Sequence, residues 1–126
     1  MKIVIGSSMR FRDVVKTTMK NLRHLGLEPL CPNVDISSEN RDVAETPEAK
    51  ARLALEHYKA IDGCDIVYFI VPKGYIGTSL KIELGYALAL KKPIYFSELT
   101  KDMAIDGFAT GVISLDNLEL FKKITF

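Results

Sequence analysis

Neither sign of charge dominates this chain of 126 residues, in which 17 lysines and arginines face 16 aspartates and glutamates. So even a balance sets up no field that would gather a polyanion. There is also no basic run interleaved with aromatic residues, and polymeric nucleic acid is not an expected partner. Long apolar runs are missing: the longest falls far short of a bilayer span, so no membrane partner is expected. Met1 leads almost directly into an apolar segment, so no signal peptide is expected. The expected location is cytoplasmic. Cysteine is scarce, and the isolated Cys31 and Cys64 are expected to be reduced and partly buried rather than bridged. With His24 and His57 they show no metal-ligand spacing, so neither a metal nor a cofactor is expected.

Two phosphate-binding fingerprints are absent as well. The turn Gly6-Ser7-Ser8-Met9-Arg10-Phe11-Arg12 has neither the three spaced glycines of a dinucleotide site nor the Gly-Lys-Ser/Thr of a P-loop.

What is present is the composition of an ordinary soluble protein, 48% apolar and 26% charged, at a length that suits one domain over residues 1–126. A strand is expected over residues 2–5. Phe11, Val14, Val15, Thr18, Leu22 and Leu25 then trace one helical face, and Gly26 is placed to close that helix in a left-handed conformation. Residues 28–31 read as a short strand whose Pro29 suggests a sheet edge. Residues 32–45 are polar and without period, the longest loop of the chain. Thr46-Pro47-Glu48 is a helix start, with a capping hydroxyl, a proline in the first turn and an acid. The buried stripe of that helix is expected at Ala51, Ala54, Leu55, Tyr58 and Ile61. Residues 66–71 are apolar throughout, as in a buried parallel strand, and Pro72 closes them. A third long helix follows, with Lys91 and Lys92 expected to complement its C-terminal end. Short strands over 93–96 and 111–115 and a last helix over 117–123 complete the reading. Strands alternating with helices predict a single α/β domain, a flavodoxin-like or Rossmann-like three-layer sandwich with a five-stranded, mainly parallel sheet.

Glu83 stands out. It lies early in a helix that begins at the carboxyl end of a strand, which is where open α/β sheets bind ligands. Ile82 and Leu84 flank it, and Leu80 and Ala87 share its face, an apolar setting that a solvated carboxylate would not have. Tyr86, three residues on, is placed to orient it. The Gly6-Ser7-Ser8 turn has two readings. In one, small residues and free amides at a helix start hold an anion near Arg10, since cations are disfavoured in a first helical turn unless an anion is nearby. In the other, Ser8 only caps the helix and the arginines extend into water. His57 reads as a half-exposed boundary residue; the other reading, since its helix feeds the third strand, is a place near the crevice, where imidazole would suit acid–base work. Asp62 and Asp65 read as turn and capping residues at the opposite edge.

From His57 to Phe96 the chain resembles the nucleoside 2-deoxyribosyltransferase superfamily, which includes deoxynucleotide N-glycosidases. The likeness is carried by Asp65-Ile66-Val67, the Gly-rich turn, Glu83-Leu84-Gly85-Tyr86-Ala87 and Lys92-Pro93-Ile94, with the Gly6-Ser7-Ser8 turn fitting the same layout. The resemblance implies a small-molecule nucleoside or nucleotide substrate, with Gly6, Ser7, Ser8, Arg10, Gly77, Thr78 and Ser79 around it. It also implies a homodimer or higher homo-oligomer, and Glu83 as a nucleophile that forms a covalent sugar–enzyme ester. Two positions depart from it: His57 and Gly77 stand where such transferases carry aspartates, on the leaving-group side. Either His57 takes over proton donation, or the substrate differs, or catalysis is lost. A nucleotide or nucleotide-sugar sensor without turnover, and a TIR-like NAD glycohydrolase, are the alternative readings.

Overall fold

The computed structural model describes residues 1–35 and 46–125. Five strands form one sheet: β1 (Lys2–Gly6), β2 (Glu28–Leu30), β3 (Ile66–Phe69), β4 (Ile94–Phe96) and β5 (Gly111–Val112). Their order is β2-β1-β3-β4-β5 and every pairing is parallel, so the sheet is wholly rather than mainly parallel. This flavodoxin-like order reverses between β1 and β3, and the crevice of such a sheet opens at the carboxyl ends of those two strands. β2 is an edge strand, as Pro29 suggested.

The helices are α1 (Arg12–His24), α2 (Pro32–Asp35), α3 (Pro47–Asp62), α4 (Thr78–Ala89) and α5 (Met103–Asp106). Pro32–Asp35 was expected to be loop and is one helical turn, while residues 36–45 of that expected loop lie outside the described residues. Alternate strand residues serve opposite faces. Ile3, Ile5, Ile66, Tyr68 and Ile70 pack against Val15, Met19 and Leu22 of α1 and against Leu118 and Phe121 of a closing 3-10 segment, Leu115–Lys123. Val4, Val67, Phe69 and Phe96 face Ile61 of α3, Leu80, Leu84 and Ala87 of α4, and Ile105 of α5. Phe69 and Phe96, both fully buried, stack at 5.5 Å. Burial of each contributes roughly 1.5–3 kcal/mol.

Local signals explain the helix ends. Gly26 takes φ 82° after α1. Thr46 Oγ1 accepts from the amide of Ala49, with Pro47 in the first turn of α3. The inward stripe of α3 differs from expectation. Leu55 is 63% exposed and Ala51 is exposed, whereas His57 is buried; Ile61 is buried as expected. Ala54, Tyr58 and Ile61 keep their expected inward places, and His57 rather than Leu55 or Ala51 completes the buried side. The two lysines also act elsewhere than expected. Lys92 Nζ donates to the carbonyls of Asp62 and Cys64, so it caps the end of α3, and Lys91 takes φ 58° just past α4. The last helix is a 3-10 segment, and the fifth strand has two residues.

Candidate active site

The crevice is built from glycine upward. Gly6 ends β1 beside Phe69 at the end of β3. A Cβ on Gly6 would lie 2.7 Å from the Phe69 ring and 3.0 Å from Glu83 Oε2. Only glycine lets the strand end pass beneath both groups. Glu83, on α4, is thus held over the carboxyl ends of the central strands, 5% exposed.

His57 meets it there from α3. Its Nε2 is 3.4 Å from Glu83 Oε2, and the histidine is 1% exposed rather than half-exposed. The contact lacks hydrogen-bond alignment, and neither imidazole nitrogen nor that carboxylate oxygen has a hydrogen-bond partner. Burial pushes the Glu83 carboxyl up to about 8 and the His57 imidazole down to about 4. Both shifts come from desolvation, which disfavours whichever form is charged. The pair is within ion-pair distance, yet burial favours a protonated acid beside a neutral imidazole.

Tyr58 lies near the pair; its hydroxyl is raised first by burial and then by the Glu83 charge. Its ring stacks on Tyr86 at 4.9 Å. The orienting contact expected from Tyr86 to Glu83 is replaced by another, because the Tyr86 hydroxyl donates to Asp62 Oδ1 at 2.5 Å. Asp62 and Lys92 thus join α3, α4 and the start of β3 into one clamp behind the site. Asp65 accepts from the Lys2 amide at the opposite edge, a structural role as expected.

The remaining expected residues line the two strand-end loops. Ser7 Oγ donates to the Ile70 carbonyl at 2.8 Å and ties the end of β1 to that of β3. Ser8 caps a 3-10 turn, Met9–Phe11, by accepting from the Arg10 amide at 3.4 Å. The Arg10 guanidinium lies over the Tyr75 ring at 4.0 Å, and Phe11 meets the same ring edge-on. Tyr75 therefore bridges the two loops. Gly77 is the N-cap of α4 and gives no side-chain bond, so Thr78 and Ser79 open the helix without a side-chain cap. Among the described residues no group of three or more His, Cys, Asp or Glu side chains could hold a metal ion. None of their helices is long and apolar enough to cross a membrane.

Comparison with solved structures gives high-probability matches along almost the whole chain. The 2-deoxyribosyltransferase of Bacillus psychrosaccharolyticus superposes with a TM-score of 0.71 at 20% identity, covering 94% of this chain and 90% of its own. The chain has the fold of a 2-deoxyribosyltransferase. A CMP N-glycosidase of Clostridium botulinum, BcmB, matches with a TM-score of 0.58 at 17% identity, over 98% of this chain and all of its own. A conserved protein of Enterococcus faecalis V583 matches at 0.64 and 11% identity, covering 96% and 98%. No family model and no curated sequence matches.

The direct buried contact of His57 with Glu83 and the close approach at Gly6 escaped the sequence. The first depends on how two crossover helices seat on one sheet face, and the second on where a side chain 77 residues away comes to rest. The sequence signals were the apolar setting of Glu83 and the place of His57 on the helix that feeds the third strand.

Proposed function

We propose that this protein cleaves or transfers the N-glycosidic bond of a (deoxy)nucleoside or (deoxy)nucleotide, with Glu83 as nucleophile. The observation that carries the reading is Glu83 itself, a buried carboxyl over the switch point of the sheet, against the strand-end glycine and beside a buried histidine. The fold shared with a 2-deoxyribosyltransferase and a CMP N-glycosidase supports it. In this mechanism a Glu83 oxygen attacks C1′ as the bond to the base breaks. The carboxylate stabilises the oxocarbenium character that develops and then bonds to it. Water or a second base releases the sugar from the ester. His57 takes the place of the missing leaving-group carboxylates.

A 5′-phosphate or another anionic group of the substrate binds at Ser7, Ser8 and the start of the first helical segment, with Gly6 beneath. Arg10 moves to it from the Tyr75 face, and Gly77, Thr78 and Ser79 flank it from α4. The protein works as a homo-oligomer.

The test is release of free base from a panel of nucleosides, their 5′-monophosphates and NAD. The reading expects release from at least one deoxynucleoside or deoxynucleotide, abolished by Glu83→Ala. Binding without release from any member would make the protein a sensor, and release from NAD alone would make it a glycohydrolase of a different class.

A further inference from the structure

We infer that His57 and Glu83 form a one-proton dyad, in which the proton held by the resting carboxyl passes to His57 as the carboxylate attacks and then to the departing base. The inference rests on the reading of Glu83 as nucleophile and adds the source and the route of the proton. Geometry carries it. Nε2 and Oε2 lie 3.4 Å apart, both groups are closed off from solvent, and neither imidazole nitrogen nor Oε2 has another partner. A proton on this pair has the other member as its nearest acceptor.

The balance closes within the site. In the first half-reaction the carboxyl O–H bond breaks and its proton moves to Nε2, while the same oxygen bonds to C1′. The C1′–N bond breaks with its electron pair going to the base, and His57 returns the proton to the base nitrogen. Carboxylic acid plus nucleoside thus gives ester plus neutral base, with no ion drawn from solvent. In the second half the water oxygen bonds to C1′ as the C1′–O ester bond breaks with its electron pair going to the Glu83 oxygen; the proton lost by the water crosses His57 to that oxygen, and the free sugar leaves. Burial supports this economy, since it favours the neutral resting pair that already holds the one proton needed.

Among the described residues few other groups compete. Gly6, Phe69 and Phe96 on the sheet beneath do not titrate. From α3, Tyr58 faces the pair and is raised above its ordinary value of 10.0. From α4, Tyr86 is raised likewise, and its hydroxyl is bonded to Asp62. Cys64, packed on the same face, is raised above 9.0. None of these shifts brings a group into the window between the two members of the dyad.

The test is the pH dependence of base release from 2′-deoxycytidine and 2′-deoxyadenosine, each with and without a 5′-phosphate. In the wild type the rate is expected to be flat from about pH 5 to 7.5 and to fall above about 8, where the pair loses its proton. In His57→Gln only ionised Glu83 attacks, so the rate rises with pH toward 8. The deficit, on the order of 10²–10⁴-fold at pH 6, should shrink roughly tenfold per pH unit. A His57→Gln profile parallel to that of the wild type overturns the dyad and leaves Glu83 an unaided nucleophile. Activity in Glu83→Gln at any pH overturns the nucleophile reading instead. A carbon-13 titration of the Glu83 carboxyl in the free protein tests the resting state without turnover. A midpoint near 8 is expected, and one near the ordinary 4.5 overturns the one-proton state whatever the protein cleaves.

Discussion

Two neighbours leave glycine as the one residue that suits position 6. The Phe69 ring and Glu83 Oε2 already occupy the space of a Cβ there, at 2.7 and 3.0 Å. Phe69 is fully buried and stacked on Phe96, so it has little freedom to give way. Gly6→Ala is therefore expected to cost about 1–3 kcal/mol in chemical denaturation and to lower base release by displacing Glu83. Full stability with full activity would show that the crevice floor has slack. Arg10 makes a different kind of prediction. Its guanidinium is parked on an exposed aromatic ring, an arrangement worth about 0.5–1 kcal/mol that an anionic ligand can outbid. Calorimetry should show 5′-monophosphates binding more tightly than the matching nucleosides, with the difference reduced by Arg10→Gln and by salt. Equal affinities would return Arg10 to the status of a surface cation.

At the scale of elements, α3 and α4 decide the site because each brings one member of the buried pair. The clamp of Tyr86, Asp62 and Lys92 fixes their relative register. Tyr86→Phe is expected to lower the melting temperature while changing base release by no more than a few-fold. A large loss of activity at unchanged stability would restore Tyr86 as an orienting group for Glu83. Much of this framework was legible in the chain. Gly26, Pro29 and Thr46-Pro47 each act locally, through a positive φ, a missing amide and a capping hydroxyl, so their consequences follow from neighbours in sequence. Glu83 was legible as well, because a strand ending in a turn and an apolar helix start fix its place in an α/β sheet. His57 and Leu55 exchanged places relative to expectation for a non-local reason. Hydropathy assigns the leucine inward, but the packing of α3 on the sheet turns His57 inward beside the carboxyl. Lys92 was likewise read against its own helix, although the long side chain reaches back to the end of the preceding one.

For the whole molecule, the buried pair makes stability depend on pH in a distinctive way. Glu83 is raised from 4.5 to about 8, so the folded state binds its proton more tightly and stability falls as pH rises from 4.5 toward 8. His57 is lowered from 6.5 to about 4, so stability falls as pH drops from 6.5 toward 4. The two slopes oppose each other between 4.5 and 6.5, giving a plateau there and a progressive loss from 6.5 toward 8. Glu83→Gln should remove that upper loss and melt higher than the wild type at pH 8, with the advantage shrinking toward pH 5. An advantage that does not vary with pH would contradict the burial of an ionisable carboxyl. Assembly is a second property at this scale. On α4, Leu80 and Leu84 belong to the core, while Ile82 (55% exposed) and, just past the helix end, Leu90 (40%) face outward. Met103 (90%) and Phe108 (55%) are also exposed. Light scattering at micromolar concentration is expected to give at least a dimer, and a monomer would exclude a site completed by a neighbour. The central claim, a sugar bonded to Glu83, is most directly tested by peptide mass spectrometry after incubation with a slowly hydrolysed 2-fluoro-arabinosyl nucleoside and its 5′-phosphate. The account predicts the mass of one sugar added to the peptide that holds Glu83 and absent from Glu83→Gln. Base release with no adduct at Glu83, or with the adduct on another residue, would contradict it.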